Sequence, residues 1–255
     1  MYISEPMNQL LKSYDVDLVH KAETVSTNTD ARILAAEGLS RPLLVVADRQ
    51  TGGRGRTGRA FHSPAGGLYM TLALPCGLPL AETFGVTSSA AVCTARAVES
   101  VCGAVPGIKW VNDLYLNGRK LCGILVESVN DYRKMTSETL LIGIGVNLTE
   151  APAITDSSVQ AVSLAEAGYT CPRDALCAAA VRELLTLRDR KYDFSAYIGE
   201  YTRRSVVLGR QITFTRNGVT RTGTAVSVSE TGALLVACED ETVVLDSGEI
   251  HLRIQ

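Results

Sequence analysis

The sequence is as informative for what it lacks as for what it holds. No apolar run approaches the roughly 20 residues a membrane-crossing helix needs. The stretch from Ser4 to Lys21 is polar and acidic, unlike a secretory leader. The seven cysteines (76, 93, 102, 122, 171, 177, 238) form no CxxC pair and show no Cys/His ligand spacing. That leaves buried, reduced thiols in a cytoplasmic protein as the expectation. Charge of one sign is also missing. Lys and Arg number 25 against 27 Asp and Glu, a net charge of -2, whereas a generic nucleic-acid binder shows a clear basic excess. The lead-in before Val16 carries no helix-turn-helix pattern, so no DNA-binding head is expected. Aromatic residues are only 5% and tryptophan occurs once. Against these absences stand 255 residues that are 46% hydrophobic and 20% charged, enough for a real core and for one large or two smaller domains.

The densest feature is Asp48-Arg49-Gln50-Thr51-Gly52-Gly53-Arg54-Gly55-Arg56-Thr57-Gly58-Arg59, with four glycines and four arginines. It follows Leu43–Ala47, an apolar run that reads as a buried strand. Glycine lets a ligand approach backbone N–H groups, and successive N–H groups make a concave anion site. Arginine adds a planar charged fork suited to phosphate and carboxylate. The combination implies a small anionic ligand at the end of a strand. A solvated Arg/Gly loop or a nucleic-acid tail is the rival reading, but such tails are long and of low complexity.

Around this loop the chain alternates helices and strands. A loose arm or short helix, Asn8–Tyr14, precedes a strand at Val16–Ala22. Ser26-Thr27-Asn28 then opens a helix over Thr29–Glu37 stopped by Gly38; capping alone would use only one of the three side chains. Leu68–Leu74 is a strand broken by Pro75–Pro79, and Leu80–Cys102 reads as one long buried helix. Asn117-Gly118 between apolar runs marks a hairpin that gathers Lys109, Asn112, Asp113 and Lys120. On local evidence Trp110 is a core residue, Asn112-Asp113 a turn and Lys120 a solvated lysine, each with a functional alternative. Leu140–Leu148 is a strand whose Gly143 and Gly145 invite close approach by a ligand. Ala151–Gln160 is a polar candidate lid. Helices are expected at Cys171–Leu187, with Pro172 in its first turn, and at Phe194–Thr202.

From Ser205 the pattern becomes short β runs: Val206–Leu208, Ile212–Thr215, Thr220–Val228, Ala233–Ala237, Thr242–Leu245 and Ile250–Ile254. Asn217-Gly218, Glu230-Thr231-Gly232 and Asp246-Ser247-Gly248 separate them. This predicts a small SH3-like β-barrel. The fold class is thus α+β: a mixed β-sheet flanked by helices over residues 1–203, then a β module over 204–255.

Four segments, in order, resemble the biotin protein ligase family: Ser26-Thr27-Asn28; Gly53-Arg54-Gly55-Arg56-Thr57-Gly58-Arg59; Lys109-Trp110-Val111-Asn112-Asp113 with Arg119-Lys120-Leu121-Cys122-Gly123-Ile124-Leu125-Val126-Glu127; and Gly143-Ile144-Gly145-Val146-Asn147. The terminal β module with Gly248-Glu249-Ile250 is similar to the family's closing domain. The resemblance implies a class II synthetase-like catalytic domain and a two-step reaction: biotin and ATP form biotinyl-5'-AMP, and a lysine of a biotin carboxyl carrier protein takes the biotinyl group. It implies catalytic roles for Lys120, Arg54 and Arg56. Biotin would meet Ser26, Thr27, Asn28, Gln50, Gly53, Arg54, Gly55, Arg56, Lys120, Gly123, Gly143 and Gly145. ATP and the adenylate would meet Arg56, Arg59, Trp110, Asn112, Lys120 and Asn147. Mg²⁺ is expected with ATP, Asp113 being its only candidate protein ligand. A homodimer is possible, and neither DNA nor membrane is an expected partner.

The chain departs from the family pattern in places. Val111 stands where the family usually has proline. The loop before Ser163-Leu164 has no tryptophan to stack on adenine, leaving apolar groups such as Val159 or Val162. The resemblance to the monofunctional type without a DNA-binding head implies no repressor role. The alternatives are a lipoate-type acyl ligase of the same fold, a nucleic-acid-binding regulator and a catalytically dead biotin sensor.

Overall fold

A computed structural model describes residues 5–83, 85–152, 160–216, 218–246 and 250–252. The elements run α1 (Glu5–Ser13), β1 (Asp17–Thr24), α2 (Thr27–Ala35), β2 (Leu43–Gln50), β3 (Leu68–Pro79), α3 (Val86–Cys102), β4 (Gly107–Lys109), β5 (Asp113–Leu116), β6 (Arg119–Asp131), β7 (Thr136–Val146), α4 (Arg173–Asp189) and α5 (Ser195–Arg204). Then come β8 (Gln211–Arg216), β9 (Val219–Val228), β10 (Leu234–Ala237), β11 (Thr242–Leu245) and β12 (Ile250–Leu252).

Strands β1 to β7 form one mixed sheet in the order β1-β2-β3-β7-β6-β5-β4. Only β1 and β2 are parallel, joined by α2 as a crossover. The apolar runs of β2, β3 and β7 are continuous because helices cover both faces. On one face Ile142, Ile144, Leu72 and Leu74 pack into the large core with α3 and α4. Ala90, Ala91, Ala95 and Ala97 of α3 are fully buried, small enough to let helices and sheet approach closely. On the other face Ala31 and Ala35 of α2 pack on Leu43, Val45, Ala73 and Leu141. Helix α2 covers only part of that face. Beyond its N-terminus lie two cross-strand rows, Val45–Thr71–Gly143–Leu125 and Ala47–Tyr69–Gly145–Gly123–Asp113. Their ends on β5 to β7 (Leu125, Gly143, Gly123, Gly145 and Asp113) form the floor of the site.

Three expectations need correction. Strand β3 continues through Pro75–Pro79 with a bulge between Pro75 and Leu78. Proline is tolerated there because β2 pairs only as far as Ala73, so among the described residues this stretch is an edge with no strand partner on one side. The long helix is two pieces: a 3₁₀ turn at Leu80–Thr83 precedes α3. Gly85 sits between them, where an added Cβ would stand 2.7 Å from Phe194 Cβ. Finally, Val206–Leu208 is not a strand. Its apolar residues dock on the first sheet instead: Val206 N–H donates to Ile108 O at 2.9 Å, and Val206 Cγ1 fills the space beside Gly107.

The C-terminal strands form one antiparallel sheet, β11-β10-β9-β8-β12. No pairing between β11 and β12 closes it among the described residues; Asn217, Ser247, Gly248 and Glu249 lie outside them. The Asn117-Gly118 turn has positive φ at both residues, 52° and 75°, as a type I′ hairpin requires. All seven cysteines are free, and burial pushes the Cys93 and Cys177 thiols up to about 12. Among the described residues no helix is long and apolar enough to cross a membrane.

Trp110 joins the two sheets. Its indole N–H donates to Gly232 O at 3.0 Å in a buried setting. Replacing it by phenylalanine keeps a six-membered aromatic ring and removes the pyrrole half that carries the donor. Trp110→Phe is expected to destabilise the fold by about 1–3 kcal/mol through the orphaned carbonyl and the lost ring contacts, measured by urea denaturation.

Candidate functional site

The site begins with the missing side chains of its floor. A Cβ on Gly143 would stand 2.1 Å from Asn28 Oδ1; on Gly145 and Gly123 it would stand 2.3 and 2.8 Å from the Phe61 ring. The sequence suggested that Gly143 and Gly145 leave room for a ligand. In the structure Asn28 and Phe61 fill that room, and the cavity opens beside them.

One wall is the N-terminus of α2. Ser26 is its N-cap, yet its side chain makes no capping bond, so capping does not explain the Ser-Thr-Asn triplet. Gln50 acts from the end of β2 instead: Thr27 N–H donates to Gln50 Oε1 at 2.8 Å, and Thr27 Oγ1 lies 3.2 Å from the same oxygen. Gln50 Nε2 donates to Ser63 Oγ at 2.8 Å, and Ser63 Oγ donates to Phe61 O at 3.1 Å. The Thr71 hydroxyl, from the middle of β3, stands 2.8 Å from Thr27 Oγ1 and 2.6 Å from Asn28 Oδ1. Asn28 Nδ2 donates to Glu127 Oε2 at 2.8 Å and faces Leu125 O at 3.4 Å.

The arginine loop closes on itself over the cavity. Phe61 N–H donates to Gly53 O and Gly55 N–H to Arg59 O, both at 2.8 Å. Residues Arg56–Gly58 make a single 3₁₀ turn. Gly53 is required by close approach, its absent Cβ position lying 2.4 Å from Phe61 O. Arg54 donates to Thr29 Oγ1 at the start of α2. Burial pulls the Arg56 guanidinium below its ordinary value, with the charge of Asp113 and the Tyr201 hydroxyl opposing.

The hairpin supplies the opposite side. Lys120 is not a solvated lysine: its Nζ lies 2.8 Å from Asp113 Oδ1, and its side chain is 22% exposed. Its backbone is held on a second side, with Lys120 N–H donating to Gln160 O at 2.7 Å and Val162 N–H to Lys120 O at 2.9 Å. Asn112 is committed to Ile124, donating Nδ2 to its carbonyl at 2.6 Å and accepting its N–H at 3.0 Å. The Trp110–Val111 peptide before it is cis. Asn147 Nδ2 donates to Val162 O at 3.1 Å, while its Oδ1 is buried without a hydrogen-bond partner among the described residues. Such an acceptor marks a place for a ligand's donor.

Together these residues line a cavity of about 400 Å³, the size of a small-molecule site. Among the described residues, Arg54, Arg56, Arg59, Lys109 and Lys120 line it against a single carboxylate, Asp113. The imbalance selects an anion. All the residues singled out for the site face this cavity except Gly53, which braces the loop, and Trp110 reaches it while spending its N–H on Gly232. Val162 is buried in the core and is not among the residues lining the cavity; Val159 and most of the candidate lid lie outside the described residues. Among the described residues no group of three or more His, Cys, Asp or Glu could hold a metal ion, and Asp113 is engaged by Lys120. Sequence reasoning missed Phe61, Ser63, Thr71 and Glu127. Thr71 had a signal: it is a hydroxyl in an otherwise apolar run.

Residues 22–147 match the model of the Biotin/lipoate A/B protein ligase family, and residues 207–253 that of the Biotin protein ligase C terminal domain. The chain is 34% identical over 246 residues to the biotin--[acetyl-CoA-carboxylase] ligase of Paracoccus denitrificans, covering 90% of this chain and 98% of that protein. It is 39% identical over 150 residues to the bifunctional ligase/repressor BirA of Bacillus subtilis; that match spans 58% of this chain and only 43% of the relative's length. Among solved structures, the biotin protein ligase from Aquifex aeolicus in complex with biotin and ATP superposes with a TM-score of 0.73 at 28% identity, covering 94% of this chain and 99% of that one.

The Asn28–Gly143 contact gives the site its own test. Gly143→Ala is expected to cost about 1–3 kcal/mol, because a Cβ cannot share that space with the carboxamide. Urea denaturation reads the loss, and an unchanged midpoint would show that Asn28 can move aside freely.

Proposed function

The chain belongs to the biotin protein ligase family, and from that premise we propose that it activates biotin with ATP and transfers the biotinyl group to a carrier-protein lysine. In the first step a biotin carboxylate oxygen attacks the α-phosphorus of ATP, forming the mixed anhydride biotinyl-5'-AMP and expelling pyrophosphate. In the second, the neutral ε-amine of a carrier lysine attacks the biotinyl carbonyl; the amide forms, AMP leaves and a proton is released. The relative's name points to the carrier of acetyl-CoA carboxylase as the class of acceptor.

The observation that carries this reading is the set of five cations lining one cavity, with Lys120 held there by β5 and by residues 160–162. The first step brings a carboxylate against a polyphosphate, so charge repulsion is the obstacle. Fixed cations aimed at the developing charge lower it without having to reorganise. Lys120 bridges the biotin carboxylate and the α-phosphate, and Arg54 and Arg56 lie over them from the loop. Ser26, Thr27, Asn28 and Gln50 meet the polar edge of the biotin bicycle. The unpartnered Oδ1 of Asn147 suits the exocyclic amine of adenine. Mg²⁺ enters with the phosphates of ATP, whose oxygens and bound waters supply most of its ligands, and neutralises their charge. Arg59, on the exposed flank of the loop, screens the anhydride from water.

The test is ATP–pyrophosphate exchange with Mg²⁺ and biotin, lipoate or no acid. Exchange is expected with biotin alone. Lys120→Ala is expected to lower it by about a hundredfold or more while leaving the unfolding midpoint in place. Exchange driven by lipoate instead would overturn the substrate, and undiminished exchange in the variant would overturn the role of the lysine.

A further inference from the structure

We infer that Glu127, which does not line the cavity, fixes which end of the Asn28 carboxamide faces the ligand and thereby sets the pocket for an acid bearing a cyclic-urea N–H. This deepens the proposed function and rests on its placing of biotin beside Asn28. An asparagine side chain has two ends of similar shape and opposite chemistry, one donating and one accepting. Half a turn about its last bond exchanges them, so the neighbours decide which end a ligand meets.

At Asn28 those neighbours are unequal. An ionised glutamate only accepts, so the atom 2.8 Å from Glu127 Oε2 is Nδ2. The second amide hydrogen is turned toward Leu125 O, 3.4 Å away and also an acceptor. Oδ1 is thereby directed over Gly143, 2.6 Å from the Thr71 hydroxyl. A hydroxyl can donate or accept, so Thr71 would serve either orientation; the choice belongs to Glu127. The carboxylate is itself held in place. Arg32 Nη2 lies 3.1 Å from Glu127 Oε1, and Arg32 Nη1 donates to Ser128 O at 3.0 Å. Arg32 is one helical turn beyond Asn28 on α2, so the helix that carries the oriented residue also carries the residue that anchors its orienter.

The consequence is a matter of donors and acceptors. Oδ1 has a second lone pair to offer to a ligand's N–H. The ureido ring of biotin brings two such groups, and the dithiolane ring of lipoate brings none. Glu127 is a positioning residue for this discrimination, acting through Asn28.

The test compares wild type with Glu127→Gln, whose amide can donate as well as accept and so permits both orientations of Asn28. Binding of biotin, dethiobiotin (which keeps the cyclic urea and lacks the sulfur ring), lipoate and ATP is measured by calorimetry, together with the unfolding midpoint. Biotin and dethiobiotin are expected to weaken by the same factor, about tenfold. ATP affinity and the midpoint are expected to stay in place. Arg32→Gln, which keeps the carboxylate, is expected to weaken biotin less. Biotin binding within twofold of wild type in Glu127→Gln would overturn the inference. So would a joint fall of biotin affinity, ATP affinity and midpoint, which is the mark of a general structural role. Failure of the wild-type protein to bind biotin would overturn the substrate reading itself, and that outcome is separately visible in the wild-type arm.

Discussion

The site depends on a side chain standing where the sheet has none. Asn28 reaches from the first turn of α2 into the space above Gly143, and its carboxamide ties three strands together: β3 through Thr71, β6 through Glu127 and Leu125, and β7 through the glycine beneath it. Helix α2 packs on the sheet through little more than Ala31 and Ala35. The polar contacts at its N-terminus therefore do much of the work of setting its height and rotation. Buried polar groups specify geometry only when they are satisfied. Here Thr27 meets Gln50, Gln50 meets Ser63, and Ser63 meets the backbone of Phe61. The start of α2 and the arginine loop are thus parts of one hydrogen-bonded chain, and moving either displaces the other.

The charges follow a different logic. Five cations converge on the cavity with Asp113 as the one acid among its described lining residues. Like charges this close repel, and Asp113 offsets part of that cost through Lys120 at 2.8 Å and through its field at Arg56. A protein that gathers so unbalanced a cluster around one cavity lowers its own stability in return for a strong potential directed at an anion. The overall charge of -2 conceals this completely; only the local spacing of arginines reveals it.

That contrast explains what could be read from the chain and what could not. The arginine–glycine loop, the Asn117-Gly118 turn and the two glycines of β7 are local signals, because backbone conformation and close approach demand particular residues at particular positions. The loop and the β7 glycines meet in one cavity through the register of the sheet, and alternation places Gly123, Leu125 and Glu127 on one face once the strand is known. The failures are tertiary. Pro75 and Pro79 look like strand breakers until β2 is seen to stop short of them. Val206–Leu208 has strand composition but spends it on docking. Gly85 interrupts an otherwise helical pattern because Phe194, more than a hundred residues away, occupies the space beside it. Val162 looked available for a nucleotide base, yet it is core. Phe61 carried no signal because a lone aromatic after a glycine-rich loop fits many roles, and only the paired glycines beneath it fix one.

The segment Lys109–Asp113 shows how far the remainder of the chain reaches into the site. It carries two charged groups of the cavity but has only three residues of strand behind it. It is held from three sides. Val206 donates to Ile108 O, Trp110 donates to Gly232 O, and Tyr201 donates to Val111 O at 3.3 Å. The first contact comes from the connection after α5, the second from the C-terminal sheet and the third from α5 itself. Together they fix where Asp113 stands relative to Lys120. A short hairpin arm at a sheet edge has few contacts of its own and would otherwise be among the first elements to open. The C-terminal sheet and α5 therefore act on the chemistry through the geometry of one turn.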